Sequence, residues 1–198
     1  MKIKHLLLSL LLLCPASIAA QKPAMPEKAY VGKIVPVNEN GFVVFEKEIK
    51  ANGNSKDELF TAVQEYLQNK LLKHEYTQRE SKLVENDEAE GLLAVRMDEY
   101  LYFKKRPFET DRVHFLYDLI AQVDEGKVKL TMQNLRYLYD PESSPYASAE
   151  EMPAEKWITD KEAVSSKGKL IKKTKRFRIF TVDRVNALFN AIAKAVKQ

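Results

Sequence analysis

The sequence predicts an α+β domain that combines an antiparallel sheet with two amphipathic helices, in the order β-α-β-β-β-β-α. Apolar residues recur at helical spacing in residues 55–73 and again in residues 181–198. Between these segments, residues 79–140 contain four strand-like runs separated by polar turns. A helix with one apolar stripe, bracketed by strands, can bury that stripe only against the sheet.

The first twenty residues have the features of a secretory signal peptide. Lysines precede a short apolar core, and small residues then allow cleavage after Ala19 or Ala20. We favour cleavage after Ala20, which makes Gln21 the first residue of an exported, periplasmic or extracellular protein. The apolar core is too short to cross a bilayer, and no other span is present, so no transmembrane segment is expected.

Cys14 raises the alternative that the protein is a lipoprotein acylated at this residue. Leu13 stands where a small residue is required and Pro15 follows, so acylation is disfavoured. Cys14 is the only cysteine, so the mature protein has no disulfide and depends on its core. Removing residues 1–20 takes 2 of the 32 basic residues against 28 acidic ones, which lowers the net charge from +4 to +2. This balance does not favour a nucleic-acid or membrane partner for the molecule as a whole.

The mature chain is expected to begin with a flexible lead-in followed by one domain. Residues 21–29 contain two prolines and need not pack, and the domain covers residues 30–198. Residues 30–37 are strand-like, but Gly32 and Pro36 limit them to an edge strand or an arm.

The next strand and helix have clear periodicities. Residues 41–50 predict a strand, and Ser55 with Glu58 predicts a capping box at the start of a helix that extends to Lys73. One face of the strand carries Val43, Phe45, Lys47 and Ile49, and the apolar stripe of the helix consists of Leu59, Phe60, Val63, Leu67 and Leu71.

An antiparallel meander is predicted after this helix. Its four runs are residues 80–84, 92–103, 112–123 and 128–139. In the second run the alternation continues through Met97 and changes phase at Tyr100, which predicts a β-bulge near Asp98 and Glu99. The third run alternates throughout, and the fourth changes phase before Tyr137.

The last part of the chain contains a loop, a short insertion and a helix. Residues 141–153 are rich in proline and serine, which predicts a surface loop. Trp157 lies in a short helical insertion at residues 154–166. Residues 167–178 carry seven basic residues and no acid, and are expected to be extended or a hairpin at the surface. The stripe of the final helix consists of Val182, Val185, Leu188, Phe189, Ile192 and Val196.

Three segments resemble an uncharacterised bacterial family, a domain of unknown function with a TBP-like (TATA-box-binding-protein-like) fold in exported proteins of Gram-negative gut-type bacteria. They are the strand that ends before NGNSKDELF, the segment KWITDKEA, and the basic link into TVDRVNALFNAI. The resemblance covers about residues 30–198. It implies a curved antiparallel sheet with both helices on one face. It assigns no catalytic or binding residue, and a fold alone does not establish function.

No catalytic, cofactor or metal-binding motif stands out in the sequence. His74 and His114 lie on different elements and lack a second ligand at metal-site spacing. The acidic turn at residues 85–90 lacks the ligand order of a calcium loop. Five tyrosines lie on predicted strands, where aromatic side chains usually fill sheet faces. They are Tyr100, Tyr102, Tyr117, Tyr137 and Tyr139.

The basic run is the sharpest charge feature of the sequence. It can be a solvated linker without function, or it can bind an anionic glycolipid or an envelope protein. The candidate anion-binding residues are Lys172, Lys173, Lys175, Arg176 and Arg178.

We therefore expect an exported, non-enzymatic binding domain of the cell envelope. The alternative is an enzyme that acts on envelope material through an unrecognised carboxylate and tyrosine site. A pocket with converging, desolvated acids favours the enzyme, whereas a broad exposed sheet face favours the binding domain.

Overall fold

A computed structural model describes residues 22–106, 109–139 and 151–197. The predicted signal peptide, the predicted first mature residue Gln21 and most of the predicted loop at residues 141–153 lie outside these ranges. The elements are a 3-10 turn (Glu27–Tyr30), β1 (Phe45–Lys50), α1 (Lys56–Tyr66, continued by a π-helical turn at Leu67–Leu71), β2 (Lys82–Asp87), β3 (Leu92–Arg106), β4 (Glu109–Asp124), β5 (Lys127–Leu138), β6 (Met152–Pro153), a second 3-10 turn (Ala154–Lys156), α2 (Asp160–Ala163) and α3 (Lys175–Ala195).

The strands form one open antiparallel sheet in the order β1-β5-β4-β3-β2, and the two-residue strand β6 pairs with the end of β5. The long central strands β3 and β4 stay paired from Leu92↔Gln122 to Arg106↔Glu109. Helices α1 and α3 pack against the sheet and against each other. The predicted α+β architecture, with two helices on one face of an antiparallel sheet, is therefore confirmed.

Both predicted helix stripes form the core. Ser55 caps α1 reciprocally, since its hydroxyl accepts from the Glu58 backbone N–H while the Glu58 carboxylate accepts from the Ser55 backbone N–H. All residues of the two predicted stripes are buried, including Phe60 at 3% exposure and Phe189 at 4%. The opposite face of the sheet carries both polar side chains, such as Arg96 and Asp118, and aromatic ones, such as Tyr100 and His114.

The predicted bulge near Asp98 and Glu99 is wrong. Both residues stay in register, with Asp98 opposite Leu116 on β4, and the irregularity lies between Tyr102 and Lys104. The alternation of core-facing residues continues without a bulge. The next core-facing position is taken by the charged Glu99, which is 2% exposed.

The phase change predicted in the last strand is confirmed. It coincides with a bulge in β5, where the register shifts opposite Leu116 and Asp118 of β4. Asn134 in the bulge has a φ of +57°, a left-handed conformation that asparagine tolerates better than most residues.

The last helix begins at Lys175, six residues before the predicted start at Thr181. Its first turns are buried on several sides, and Phe177, Ile179 and Phe180 all lie in the core. A helix segment that is buried on several sides has no polar face, so it lacks the periodicity that marks an amphipathic helix. The predicted extended conformation of residues 175–178 is therefore wrong.

The predicted flexible lead-in is fastened to α3 from Ala24 onward. The backbone N–H of Ala24 donates to Asp183 Oδ2 at 2.9 Å, and the hydroxyl of the buried Tyr30 donates to Asp183 Oδ1 at 2.5 Å. Glu27 forms an ion pair with Lys175. Two prolines indicate an irregular backbone, but they do not reveal these partners.

Candidate functional site

A groove of about 690 Å³ separates two segments that lie outside the sheet. We call residues 24–44 the arm, residues 154–173 the lobe, and the cavity between them the arm–lobe groove. The arm contributes Lys33, Val35, Pro36, Val37 and Gly41, and the lobe contributes Glu155, Lys156, Thr159, Asp160, Lys161 and Glu162. The size falls within the range of small-ligand sites.

Arg178 on α3 holds the two walls of the groove in place. Its guanidinium has no exposed surface and donates four hydrogen bonds of 2.6 Å. Two of them reach the carbonyls of Tyr30 and Gly32 in the arm, and two reach the carbonyl of Ile158 and Asp160 Oδ1 in the lobe. The five donors of a guanidinium suit this role, since one side chain can bond several acceptors at once.

A second bond joins the arm to the lobe. Glu155 Oε1 accepts a hydrogen bond of 2.7 Å from the backbone N–H of Val43. The arm next to Val43 forms a hairpin, with a bridge between Val37 and Val43. Both walls of the groove are therefore held in place by contacts between residues that are far apart in the sequence.

The groove combines apolar surface with free positive charge. Lys33, Lys156 and Lys161 are exposed, and none of them forms an ion pair within the described ranges. Of the acids in the groove, Asp160 is paired with Arg178, and Glu155 accepts a hydrogen bond from the arm. The carboxylate of Glu162 has no ion-pair partner among the described residues. The lining therefore favours a ligand that carries negative charge.

In the predicted anion-binding run, some residues are exposed and others are bonded to side chains of the protein itself. Lys172 and Lys173 are exposed, and Lys173 Nζ lies 5.1 Å from the centre of the Trp157 ring. Lys175 is paired with Glu27, and Arg176 is bonded to Asp111 and to the Tyr139 hydroxyl.

The prediction that Arg178 is an anion-binding residue is corrected, because its side chain is buried and its N–H groups donate hydrogen bonds within the protein. It shapes the groove and offers no surface to an anion. Anion binding by the exposed members of the run stays a prediction.

A carboxylate that the sequence interpretation missed lies between the sheet and α3. Arg184 Nε and Nη2 donate to the two oxygens of Glu99 at 2.7 Å each, and the Tyr117 hydroxyl donates to Glu99 Oε1 at 3.0 Å. Burial, followed by the charge of Glu99, raises the pKa of Tyr117 well above its ordinary value. A glutamate in phase with Leu93, Val95 and Met97 is the signal that could have placed Glu99 in the core.

The outer face of the sheet carries a row of ring contacts. Tyr76, Tyr102, Tyr100 and His114 follow one another at centroid distances of 4.8, 6.1 and 4.8 Å. His114 Nδ1 lies 2.8 Å from Asp98 Oδ1. In contrast, Tyr117 and Tyr137 are buried on the helix-covered face, so the predicted strand tyrosines divide between the two faces.

No group of three or more histidine, cysteine, aspartate and glutamate side chains within the described ranges is arranged to hold a metal ion. The two histidines contact different rings: His74 packs on Tyr76, and His114 packs on Tyr100. Over the same residues, no helix is both long enough and apolar enough to span a membrane.

An open antiparallel sheet with two helices on one face and a groove at its side defines an α+β protein of the TBP-like class. Residues 45–138 match the family described as "Domain of unknown function (DUF4468) with TBP-like fold", which places this part of the chain in that family and confirms the resemblance over these residues.

Two solved structures are similar to this chain. A DUF4468 family protein from Bacteroides ovatus is 26% identical, with a TM-score of 0.77, over 88% of this chain and 96% of that one. A TBP-like protein from Parabacteroides distasonis is 19% identical, with a TM-score of 0.64, over 83% of this chain and 98% of that one. The second likeness supports the fold alone. No curated protein matches the chain.

Proposed function

We propose that the protein is an exported, non-catalytic binding domain of the cell envelope and that the arm–lobe groove is its binding site. The lining of this groove carries the proposal: apolar Val35 and Val37 lie beside Lys33, Lys156 and Lys161, which have no ion-pair partner in the described chain. A concave site with apolar walls and a few free charges is the usual form of a ligand site. Unpaired cations favour an acidic ligand.

Export is tested by the intact mass of the protein purified from its native cells. We expect a chain that begins at Gln21, because the small residues before it suit signal cleavage. A chain that begins with acylated Cys14 would contradict this cleavage site and indicate a membrane-anchored lipoprotein. Recovery of the uncleaved chain from the cytoplasm would contradict export itself.

Binding is tested by the melting temperature of the mature protein in three envelope extracts: total lipid, soluble glycan fragments and soluble protein. A ligand that binds only the native state raises the melting temperature. The double variant Lys33→Glu and Lys161→Glu reverses two groove charges. Its matched control, Lys50→Glu and Lys82→Glu, makes the same change at exposed lysines outside the groove.

We expect at least one extract to raise the melting temperature of the native protein and of the control, with little effect on the groove variant. Equal shifts for the two double variants would show that the ligand binds elsewhere. If none of the extracts changes the melting temperature of the native protein, the proposal is wrong.

Enzymatic activity is the second candidate, and the contact between Glu99 and Tyr117 is the observation that favours it. However, Arg184 occupies both carboxylate oxygens of Glu99. Glu99 is also buried at 2% exposure, so a substrate cannot reach its carboxylate. After long incubation, the bound molecule should be recovered with its mass unchanged. A released product of altered mass would favour the enzyme.

A further inference from the structure

The hairpin of the arm exposes apolar side chains next to the groove. Among the described residues, the large apolar side chains that are strongly exposed are Phe42 (59%), Val37 (47%) and Val84 (43%). Val37 and Phe42 flank the same turn, at residues 38–41, and Val37 and Gly41 also line the groove. Since burying an exposed phenylalanine stabilises a complex, the turn is a candidate contact surface.

The turn that presents Phe42 is well defined. Asn38 Oδ1 accepts hydrogen bonds of 3.0 Å from the backbone N–H groups of Asn40 and Phe42, and the Asn38 carbonyl accepts one of 2.9 Å from Gly41. Gly41 has a φ of +84°, a conformation that suits glycine. The turn thus satisfies several of its own backbone groups, which lowers the cost of placing it in an apolar environment.

The lobe carries an excess of positive charge, and two of its lysines, Lys156 and Lys161, line the groove. The lobe contains six lysines and three acids, and all six lysines are exposed. Two of the three acids, Glu155 and Asp160, are engaged in the contacts that join the lobe to the arm and to α3. Lys33 adds a further exposed cation from the arm.

We propose that this side of the molecule docks on an anionic phospholipid surface, with Phe42 and Val37 entering the interfacial region and the lysines of the groove contacting headgroups. The inference rests on the proposed function, because it names an anionic lipid as the ligand of the groove region. Apolar insertion and attraction of lysines to anionic headgroups are the two contributions that bind proteins to membrane surfaces. A small soluble anion would explain the lysines but give Phe42 no role.

The test is sedimentation of the mature protein with vesicles of phosphatidylcholine alone or of phosphatidylcholine mixed with phosphatidylglycerol. We expect binding to the mixed vesicles only, and weaker binding as added salt screens the lysines. Replacing Lys33, Lys156 and Lys161 by glutamine should weaken binding about 100-fold, since each lysine near an anionic surface contributes about fivefold. Phe42→Ser should weaken it about tenfold or more.

Matched controls separate docking from general changes in charge or apolar surface. Val84→Ser removes the exposed apolar side chain on β2, and glutamine at Lys50, Lys70 and Lys82 removes three exposed lysines elsewhere. Both controls should bind like the native protein. All variants should keep the native circular dichroism spectrum and melting temperature.

One variant should strengthen binding. Glu39 is an exposed acid in the turn next to Phe42, so it opposes an anionic surface. Glu39→Gln should increase the affinity for mixed vesicles about fivefold, an effect that a purely structural role of the hairpin does not predict.

Equal binding to the two vesicle types, or native affinity in both the Phe42 variant and the triple lysine variant, would overturn membrane docking. If vesicles fail to bind while the glycan or the protein extract still raises the melting temperature through the groove lysines, the docking inference is wrong and the proposed function stands. If the vesicles fail to bind and no extract raises the melting temperature of the native protein, both proposals are wrong.

Discussion

Arg178 Nη2 lies 2.6 Å from Asp160 Oδ1, and this contact pairs a guanidinium without exposed surface with a carboxylate whose side chain is 42% exposed. The same guanidinium also bonds three carbonyls of the arm and the lobe. Arg178 belongs to a basic run in the sequence, but in the fold it is a buried link between the two walls of the groove.

Arg178→Met should lower the free energy of unfolding by about 3 to 5 kcal/mol, because it leaves buried acceptors without donors. Urea denaturation measures the loss. Lys172→Met is the matched control: it removes an exposed cation from the same run and should change stability by no more than about 0.5 kcal/mol. Similar small losses for both variants would mean that Arg178 does not hold the walls together.

The Glu99–Arg184 pair should respond asymmetrically to loss of either partner. The Glu99 side chain is 3% exposed and that of Arg184 is 23% exposed. Arg184→Met strands a buried carboxylate and should cost about 3 to 5 kcal/mol. Glu99→Leu leaves a cation that still reaches water, so we expect a smaller loss.

A double-mutant cycle completes this test. The double variant should lose less stability than the sum of the single variants, because it strands no charge. The exposed pair Arg96–Asp118, in which the Arg96 side chain is 61% exposed, is the comparison and should show a coupling of about 0 to 1 kcal/mol. Additive losses at Glu99 and Arg184 would contradict a coupled buried pair.

Tyr30 should make stability fall at alkaline pH. Burial and its hydrogen bond to Asp183 raise the pKa of Tyr30 from 10.0 to about 12. The folded state therefore holds this proton more tightly than the unfolded state, so the stabilisation is fully present below pH 10 and is lost as the pH rises toward 12.

Denaturation of Tyr30→Phe between about pH 8 and about pH 12, a range that brackets the ordinary tyrosine pKa of about 10, measures this contribution. The variant should be less stable than the native protein at neutral pH because it lacks the hydrogen bond to Asp183, and the difference should shrink above about pH 10. Tyr117 remains in both proteins, so its own raised pKa cancels in the comparison. A difference that stays constant with pH would contradict the role assigned to Tyr30.

Phe60 and Phe189 are expected to contribute strongly to stability, one on each helix. Each is almost fully buried, and truncation to alanine should cost about 3 to 5 kcal/mol in urea denaturation. Phe42→Ala removes the same ring from the exposed hairpin and should cost no more than about 0.5 kcal/mol. Losses below about 1 kcal/mol at both helix positions would contradict the packing of the helices on the sheet.

Local periodicity was sufficient to predict both helix stripes, the capping box of Ser55 and Glu58 and the phase change in the last strand. It was misleading where burial departs from a simple pattern. Glu99 keeps the alternation of β3 but replaces an apolar side chain, so its position resembled a bulge. The first turns of α3 have no polar face, so their helical period was hidden.

The sequence by itself determined the α+β class, the strand alternation and the apolar faces, because these depend on neighbours within a few turns of the same element. Tertiary structure decided the sites. Arg178 meets the Tyr30 carbonyl across 148 positions of sequence, and Arg184 meets Glu99 across 85. Whether a charged side chain is a solvated surface group or a buried link depends on partners at such separations, and only the folded chain brings them within hydrogen-bonding distance.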